Sequence, residues 1–284
     1  SLPNGALILT TGTLLRAQTE EQVAHILAHE VAHYRHRDSL KQFNRLLNTS
    51  SAVALLGVAA AGIGVDFVGT GASMAALNAR YAHSQSDERA ADASAVRLAA
   101  AAGYNPLEAA DLWDQIDLEA AADGKRSAFA RVHPTSDDRF ALMAASAHAA
   151  PRAAPFATPE SWNDATLPWL QGWIADELRR SQAAGNVALF TRLSAAQPSR
   201  GLYRYALGEA YRKRALPGDA VLAQTAFRAA LAAADAPPQA WRGLGLTAMQ
   251  GGDKDTARTA FARYRAALPD AEDKAIIDYY LAQP

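Results

Sequence analysis

The order of apolar and polar residues near the start of the chain predicts a β-strand. Asn4-Gly5 is a turn signal, and the run after it, Ala6-Leu7-Ile8-Leu9-Thr10-Thr11, is short and mostly apolar until Gly12 ends it. It is the clearest strand candidate in the sequence. Because one strand cannot form a sheet, we expect its partners to come from upstream residues or from weaker segments.

The pattern then changes to that of a helix. Thr19 and Gln22 form a T-x-x-Q capping box, which marks a helix start, and no glycine or proline follows for many residues. The sequence predicts one long helix from this point, continuing past Asp38 towards Leu47.

An uncharged run from Leu46 to Val65 is compatible with three structures. Its centre is mostly alanine and glycine, and Asp66 interrupts it, whereas a membrane span needs about 20 strongly apolar residues. A buried helix or a mobile cover over a site fits better, since the glycines from Gly62 to Gly71 would loosen the segment. Residues 46–71 are therefore predicted to be a lid, a core helix or a peripheral membrane contact.

The second half of the chain begins with a segment whose composition is typical of a linker, and a repeated sequence pattern follows it. Proline and alanine dominate residues 151–159, so we place a first domain at 1–150, a linker at 151–163 and a second domain at 164–284. Such a boundary agrees with the length of 284 residues, which favours two domains.

The repeat has a period of 34 residues. Thr225-Ala226-Phe227 recurs as Thr259-Ala260-Phe261, and Phe190 suggests an earlier, weaker unit. The tetratricopeptide pattern is matched by Trp241, Leu244, Gly245, Ala257, Phe261 and Pro269. We expect a stack of helix pairs closed by a capping helix at about 271–281. An ordinary helical bundle is the alternative.

The amino-acid composition favours some classes of protein and excludes others. Half of the residues are hydrophobic, many of them alanine, which predicts a helix-rich chain with a core. The net charge of −1 argues against a general nucleic-acid binder. The sequence has no cysteine, so disulfides and cysteine-bound zinc are excluded.

The first candidate for chemistry is His29-Glu30-Val31-Ala32-His33 on the predicted helix. Positions four apart share a helical face, so the imidazoles of His29 and His33 can converge on one ion. Zinc lowers the pKa of bound water from 15.7 to about 7, and Glu30 can take its proton. A chance match on a histidine-rich helix is the alternative. His25 shares the face but has no acid beside it, so we interpret it as structural or as packing near the site.

The second candidate is a pair of acids four residues apart. Glu88 and Asp92 stand at the start of a helical pattern that continues to Gly103. A zinc site with two histidines needs a third protein ligand, which Glu88 can supply, and Asp92 can fix the tautomer of a ligand histidine. Taken alone, the pair is also typical of a solvated acidic face.

The third candidate is His133, which precedes Pro134 and therefore has extended backbone at a loop–helix junction. It could hydrogen-bond a developing oxyanion or occupy the open metal position, and Arg139 could brace the site. A capping turn with a surface histidine is the alternative.

These stretches, in this order, resemble the BepA-like and HtpX-like zinc metallopeptidases, relatives of the CAAX prenyl proteases. That family carries H-E-x-x-H, then S-R-x-x-E-x-E-A-D, then H-P-x-x-x-x-R. The second motif is matched by Ser84, Glu88, Ala91 and Asp92, with Gln85 in place of the arginine. The third motif is matched by His133, Pro134 and Arg139. The segment Thr11–Leu15 also resembles the family's approach to the metal helix, and the resemblance covers about residues 3 to 145.

The resemblance implies a predominantly α, α+β fold: a zincin-type metallopeptidase domain with a small sheet, followed by a tetratricopeptide-like α-solenoid. It implies one zinc ion per chain, held by His29, His33 and Glu88 as in gluzincins, with Glu30 as general base. Asp92 and Arg139 would support the site, and His133 would stabilise the oxyanion or gate the zinc. An extended peptide would pair with the edge strand, at Ala6, Leu7, Ile8, Leu9 and Thr10.

The predicted function is a zinc metalloendopeptidase whose repeat domain docks protein partners or substrates. The resemblance implies a periplasmic enzyme in outer-membrane protein quality control. No signal peptide is visible, and the opening Ser1-Leu2-Pro3 looks like the interior of a domain, so we expect upstream residues. The alternatives are a chaperone or scaffold with a normally closed site and a membrane-embedded protease that depends on the 46–65 run.

Overall fold

The computed structural model describes residues 2, 4–47, 85–124, 137–149, 159–180 and 182–283. Over these residues the chain is α-helical and contains no β-strand. The helices are α1 Thr11–Arg16, α2 Glu20–His36, α3 Asp38–Leu47, α4 Gln85–Ala101, α5 Glu108–Ala122, α6 Asp137–Ala149, α7 Pro159–Arg179, α8 Ala183–Ala196, α9 Gly201–Arg214, α10 Asp219–Leu231, α11 Gln239–Gln250, α12 Lys254–Ala267 and α13 Lys274–Ala282.

The prediction of a small sheet, and with it the α+β class, is wrong for the described residues. The predicted strand lies in a segment without strand pairing, and Thr11 already belongs to α1. Thr10 is extended and caps α1, because its side chain accepts a hydrogen bond from the Thr13 backbone N–H at 3.1 Å. Gly12, expected to end a strand, is a buried residue of that helix. The capping signal therefore outweighs the apolar run that precedes it.

The prediction of one helix continuing past Asp38 is also wrong. Helix α2 ends at His36, and Arg37 has left-handed backbone with φ of 59°. The Arg37 N–H bonds to the carbonyls of His33 and Tyr34, which closes the helix, and α3 begins at Asp38. No glycine or proline signals this stop, so the sequence pattern does not reveal it.

The described residues form two compact units. Unit 1 is Ser1–Asp117 with Lys125–Leu167, and unit 2 is Leu118–Gly124 with Pro168–Pro284, counted over the described residues. Of the predicted linker 151–163, residues 159–163 lie in α7 and residues 151–158 lie outside the described part.

In unit 1, helix α2 packs along α4, with α3 against the end of α2 and α6 against α4. The apolar core beside α2 and α4 consists of Ile26, Val96, Leu112, Trp113 and Ile116, with Leu9 packed against it. Trp162 donates a hydrogen bond from its indole nitrogen to the Ala17 carbonyl at 3.1 Å. The two helices that carry the motif residues are therefore held side by side on a common core.

In unit 2 each helix from α8 to α13 packs against the next. Phe190, Phe227 and Phe261 lie on alternate helices, α8, α10 and α12, and each is at most 1% exposed. The Phe227 ring lies against Gly208 of α9, and the Phe261 ring lies against Gly245 of α11. The same phenylalanine–glycine contact is thus made in two successive helix pairs.

Gly243→Ala is expected to destabilise unit 2, because Phe227 occupies the space that a Cβ atom would take. A Cβ at Gly243 would lie 2.3 Å from Phe227 Cζ, whereas one at Gly172, also helical, would meet nothing within 4 Å. We expect Gly243→Ala to cost about 1–3 kcal/mol of unfolding free energy, as overpacking does. Gly172→Ala should be neutral or stabilising. Urea unfolding of both variants tests this, and equal midpoints would contradict the packing.

Two predicted features lie outside the described residues: His133, and all but the first two residues of the segment 46–71. Among the helices that are described, none is both long and apolar enough to cross a bilayer.

Candidate metal centre

A capping box marks the start of helix α2, the helix that carries both motif histidines. Thr19 accepts a hydrogen bond from the Gln22 backbone N–H at 3.2 Å, as the capping box predicts. The Gln22 side chain accepts from the Gln18 N–H at 2.8 Å instead of from Thr19 itself. With the helix start fixed, His29 and His33 lie one turn apart on the buried face.

Four predicted residues come together between α2 and α4: His29, His33, Glu88 and Asp92. His29 Nε2 and His33 Nε2 are 3.0 Å apart. Glu88 spans the pair, with Oε1 3.2 Å from His33 Nε2 and Oε2 3.4 Å from His29 Nε2. The two histidines and Glu88 are fully buried, and each offers a ligand atom to the same point.

A carboxylate also lies on the far side of each imidazole. Asp92 Oδ1 is 2.9 Å from His29 Nδ1. Asp38 Oδ2 is 3.0 Å from His33 Nδ1. An ionised carboxylate only accepts hydrogen bonds, so it holds the proton on Nδ1 and leaves Nε2 with a lone pair. Both Nε2 atoms and both Glu88 oxygens then face one another as acceptors.

Acceptors that converge in this way need a proton or a metal cation between them, and their spacing suits zinc. Zinc binds imidazole nitrogen at about 2.0–2.1 Å in tetrahedral geometry, which sets its ligand atoms about 3.3 Å apart. The three separations here are 3.0, 3.2 and 3.4 Å. His29, His33 and Glu88 could therefore hold one zinc ion and leave its fourth position for water.

The local field is strongly negative. Burial lowers the pKa of the His29 imidazole, but its hydrogen bonds with Asp92 and Glu88 and their charges outweigh this and raise the pKa to about 9. The same charges that stabilise a proton on His29 would stabilise a divalent cation in its place.

Two neighbours define the surroundings of the ligands. Glu30 is 8% exposed on α2, next to the first histidine, where the H-E-x-x-H pattern places it. The Trp113 ring lies 6.3 Å from the His29 ring, between centroids, and joins the apolar core to the site. His25, interpreted as structural, is buried one turn before His29 and does not belong to the metal-binding group among the described residues.

Sequence reasoning missed Asp38. It follows His33 by five residues, a spacing that does not share a face on a continuous helix. Only the left-handed Arg37 brings the Asp38 carboxylate back onto His33. The one available signal is that an acidic residue, Asp38, follows the H-E-x-x-H motif closely. Nothing in the sequence indicates the turn.

The remaining predicted residues are only partly placed. His133 lies outside the described residues, and Arg139 lies in α6, where only the backbone is described. Their predicted roles stay predictions.

Comparisons with known proteins identify the family of the chain. The pattern of peptidase family M48 matches residues 1–146. The mitochondrial metalloendopeptidase OMA1 of Schizosaccharomyces pombe is 31% identical over 140 residues, which are 49% of this chain and 40% of that protein. The chain thus spans about two fifths of the length of the curated relative it matches.

The match to the M48 pattern covers the half of the chain that holds H-E-x-x-H, the acidic pair and the convergent ligand atoms. It confirms the prediction of a metallopeptidase domain. The chain belongs to peptidase family M48.

Proposed function

We propose that the chain is a zinc-dependent endopeptidase that hydrolyses peptide bonds in protein or peptide substrates, with one zinc per chain held by His29, His33 and Glu88. The observation that carries the proposal is the convergence of four buried acceptor atoms, the two Nε2 atoms and the two Glu88 oxygens, with separations of 3.0–3.4 Å, and both histidines are oriented by carboxylates. A solvated acidic face, the alternative for Glu88 and Asp92, does not fit their burial at 0% and 3% exposure.

Different residues would bind the zinc ion and transfer the proton. A bound zinc ion supplies Lewis acidity and lowers the pKa of a water ligand towards about 7. Glu30 would accept the proton from the attacking water and deliver it to the leaving amine, so that hydrolysis leaves one new carboxylate and one new amine. Asp92 and Asp38 would keep the imidazoles in the binding tautomer throughout.

The direct test is metal analysis of the purified chain beside cleavage of an unstructured protein such as casein. We expect about one zinc per chain, loss of cleavage with a chelator and recovery on adding zinc. A chain that cleaves casein equally with and without its metal would contradict the proposal. A chain that binds zinc but does not cleave would favour the alternative of a scaffold with a closed site.

Substrate binding is proposed at residues 6–10, although they form no strand. Side-chain exposure alternates along them, and Ile8 is 54% exposed. Among the described residues, no turn or loop hydrogen bond involves the backbone of Leu7, Ile8 or Leu9. An extended peptide could pair with these groups.

Ile8→Pro is expected to lower kcat/KM by about 2–10-fold, because it removes one backbone donor worth about 0.5–1.5 kcal/mol. Ile8→Ala is the control, since it changes the side chain and keeps the donor. Peptide turnover by the two folded variants checks this. A folded Ile8→Pro enzyme with unchanged turnover would rule out the pairing.

We extend the proposal to unit 2 as a tetratricopeptide domain that docks partners or substrates. The support is the 34-residue recurrence of Phe227 as Phe261 and the repeated contact of each ring with a glycine. A periplasmic location and a BepA-like or HtpX-like role in envelope protein quality control belong to the same proposal and rest on the sequence resemblance alone. Peripheral membrane contact through 46–71 is also proposed, and it rests on the uncharged run from Leu46 to Val65.

A further inference from the structure

We infer that Asp38 is a positioning residue of the metal centre, which fixes the His33 imidazole with Nε2 free to bind zinc. This inference rests on the proposed zinc function. It starts from one contact: Asp38 Oδ2 lies 3.0 Å from His33 Nδ1, with both side chains at most 1% exposed. A buried carboxylate needs compensating partners, and the imidazole N–H is one of them.

The chain makes this contact through an unusual backbone turn. On a continuous α2, Asp38 would lie about 140° around the helix from His33 and could not reach its ring. Arg37, with left-handed backbone at φ 59°, ends α2 and turns the chain. After this turn the Asp38 carboxylate faces Nδ1 of His33. Non-glycine residues seldom adopt this conformation, which costs free energy. The Asp38–His33 contact is one interaction that offsets this cost.

Asp38 has further polar neighbours. Its second oxygen accepts a hydrogen bond from Lys41 Nζ at 3.0 Å, across one turn of α3. His36 Nδ1 lies 3.8 Å from Oδ2, and its other ring nitrogen is 3.2 Å from Ser94 Oγ on α4, the helix that carries Glu88. Asp38 is therefore paired with a lysine of its own helix and lies beside a histidine that contacts α4.

The arrangement repeats the one at the other histidine. Asp92 faces Nδ1 of His29 and Asp38 faces Nδ1 of His33. In each case the carboxylate keeps the proton on Nδ1, restricts ring rotation and increases the basicity of Nε2. One orienting acid comes from the motif on α4, and the other from the turn after α2.

The test compares zinc affinity and fold stability in Asp38→Asn and Lys41→Gln, using competition with a chromophoric chelator and thermal unfolding of the metal-free proteins. Asp38→Asn should weaken zinc binding by about 10–100-fold, as loss of an orienting carboxylate typically does. Lys41 is 56% exposed, so Lys41→Gln should weaken binding by less than about fivefold, because exposed ion pairs contribute little. Asp38→Ser replaces Asp38→Asn if the latter does not fold.

A second measurement separates positioning from general structure. In the zinc-loaded protein labelled with ¹⁵N-histidine, we expect a slowly exchanging Nδ1–H signal from each ligand histidine, and loss of the His33 signal in Asp38→Asn. Unchanged zinc affinity in folded Asp38→Asn, or an equal loss in Lys41→Gln, would overturn the inference. Failure of the wild-type chain to bind zinc would instead overturn the proposed function.

Discussion

Glu30→Gln is expected to abolish cleavage and leave the zinc in place. The change keeps the size of the side chain and removes the base that takes the proton from water. Glu30 is not in the group of convergent ligand atoms, which consists of His29, His33 and Glu88. Loss of a general base typically lowers turnover by about 10²–10⁴-fold. Casein cleavage and metal content of the purified variant measure the two effects separately.

The matched control is Glu21→Gln. Glu21 is another buried glutamate of α2, at 6% exposure against 8% for Glu30, and it lies two turns before the site. Its replacement should leave turnover unchanged. Loss of zinc from Glu30→Gln would make Glu30 a ligand and contradict the division of roles. Equal turnover loss in both variants would indicate a general effect of removing buried charge from the helix.

Glu88→Ala is expected to lose most of the zinc affinity. It removes the only carboxylate that faces Nε2 of both His29 and His33 among the described residues, at 3.4 and 3.2 Å. Two imidazoles alone do not complete the three protein ligands of a catalytic zinc site. Zinc titration of the metal-free protein, beside its circular dichroism spectrum, gives affinity and fold together.

Asp92→Ala provides the graded comparison. Asp92 contacts His29 Nδ1 and not the ligand side of the ring, so its removal should cost about 10–100-fold in affinity and less than Glu88→Ala. Equal and negligible losses for the two variants would indicate that Glu88 and Asp92 do not act in the site. The third ligand would then have to be another residue.

Local spacing rules predict the centre of the site well. Positions four apart share a helical face, and this rule alone places His29 beside His33 and Glu88 beside Asp92. The capping box at Thr19 and Gln22 marks the start of α2 from residues that are equally close in sequence. Each of these predictions depends on a few residues within one helix.

Features that depend on the backbone between elements are not predictable in this way. The stop at Arg37 has no glycine or proline signal, so the sequence pattern places Asp38 on a continuing helix and not in the site. The short apolar run between a turn signal and a glycine predicts a strand at 6–11, but a strand needs a hydrogen-bonded partner and Thr10 caps a helix instead. The packing of α2 against α4 brings together residues that are about 60 positions apart. Local spacing does not predict that Glu88 lies beside His29 and His33, whereas the family resemblance does.

Anomalous diffraction at the zinc edge from crystals of the wild-type chain tests the central claim most directly. The account predicts one peak per chain, at about 2.0–2.2 Å from Nε2 of His29, Nε2 of His33 and an oxygen of Glu88. A peak at a different set of side chains, or none in crystals of protein that cleaves casein, would contradict it.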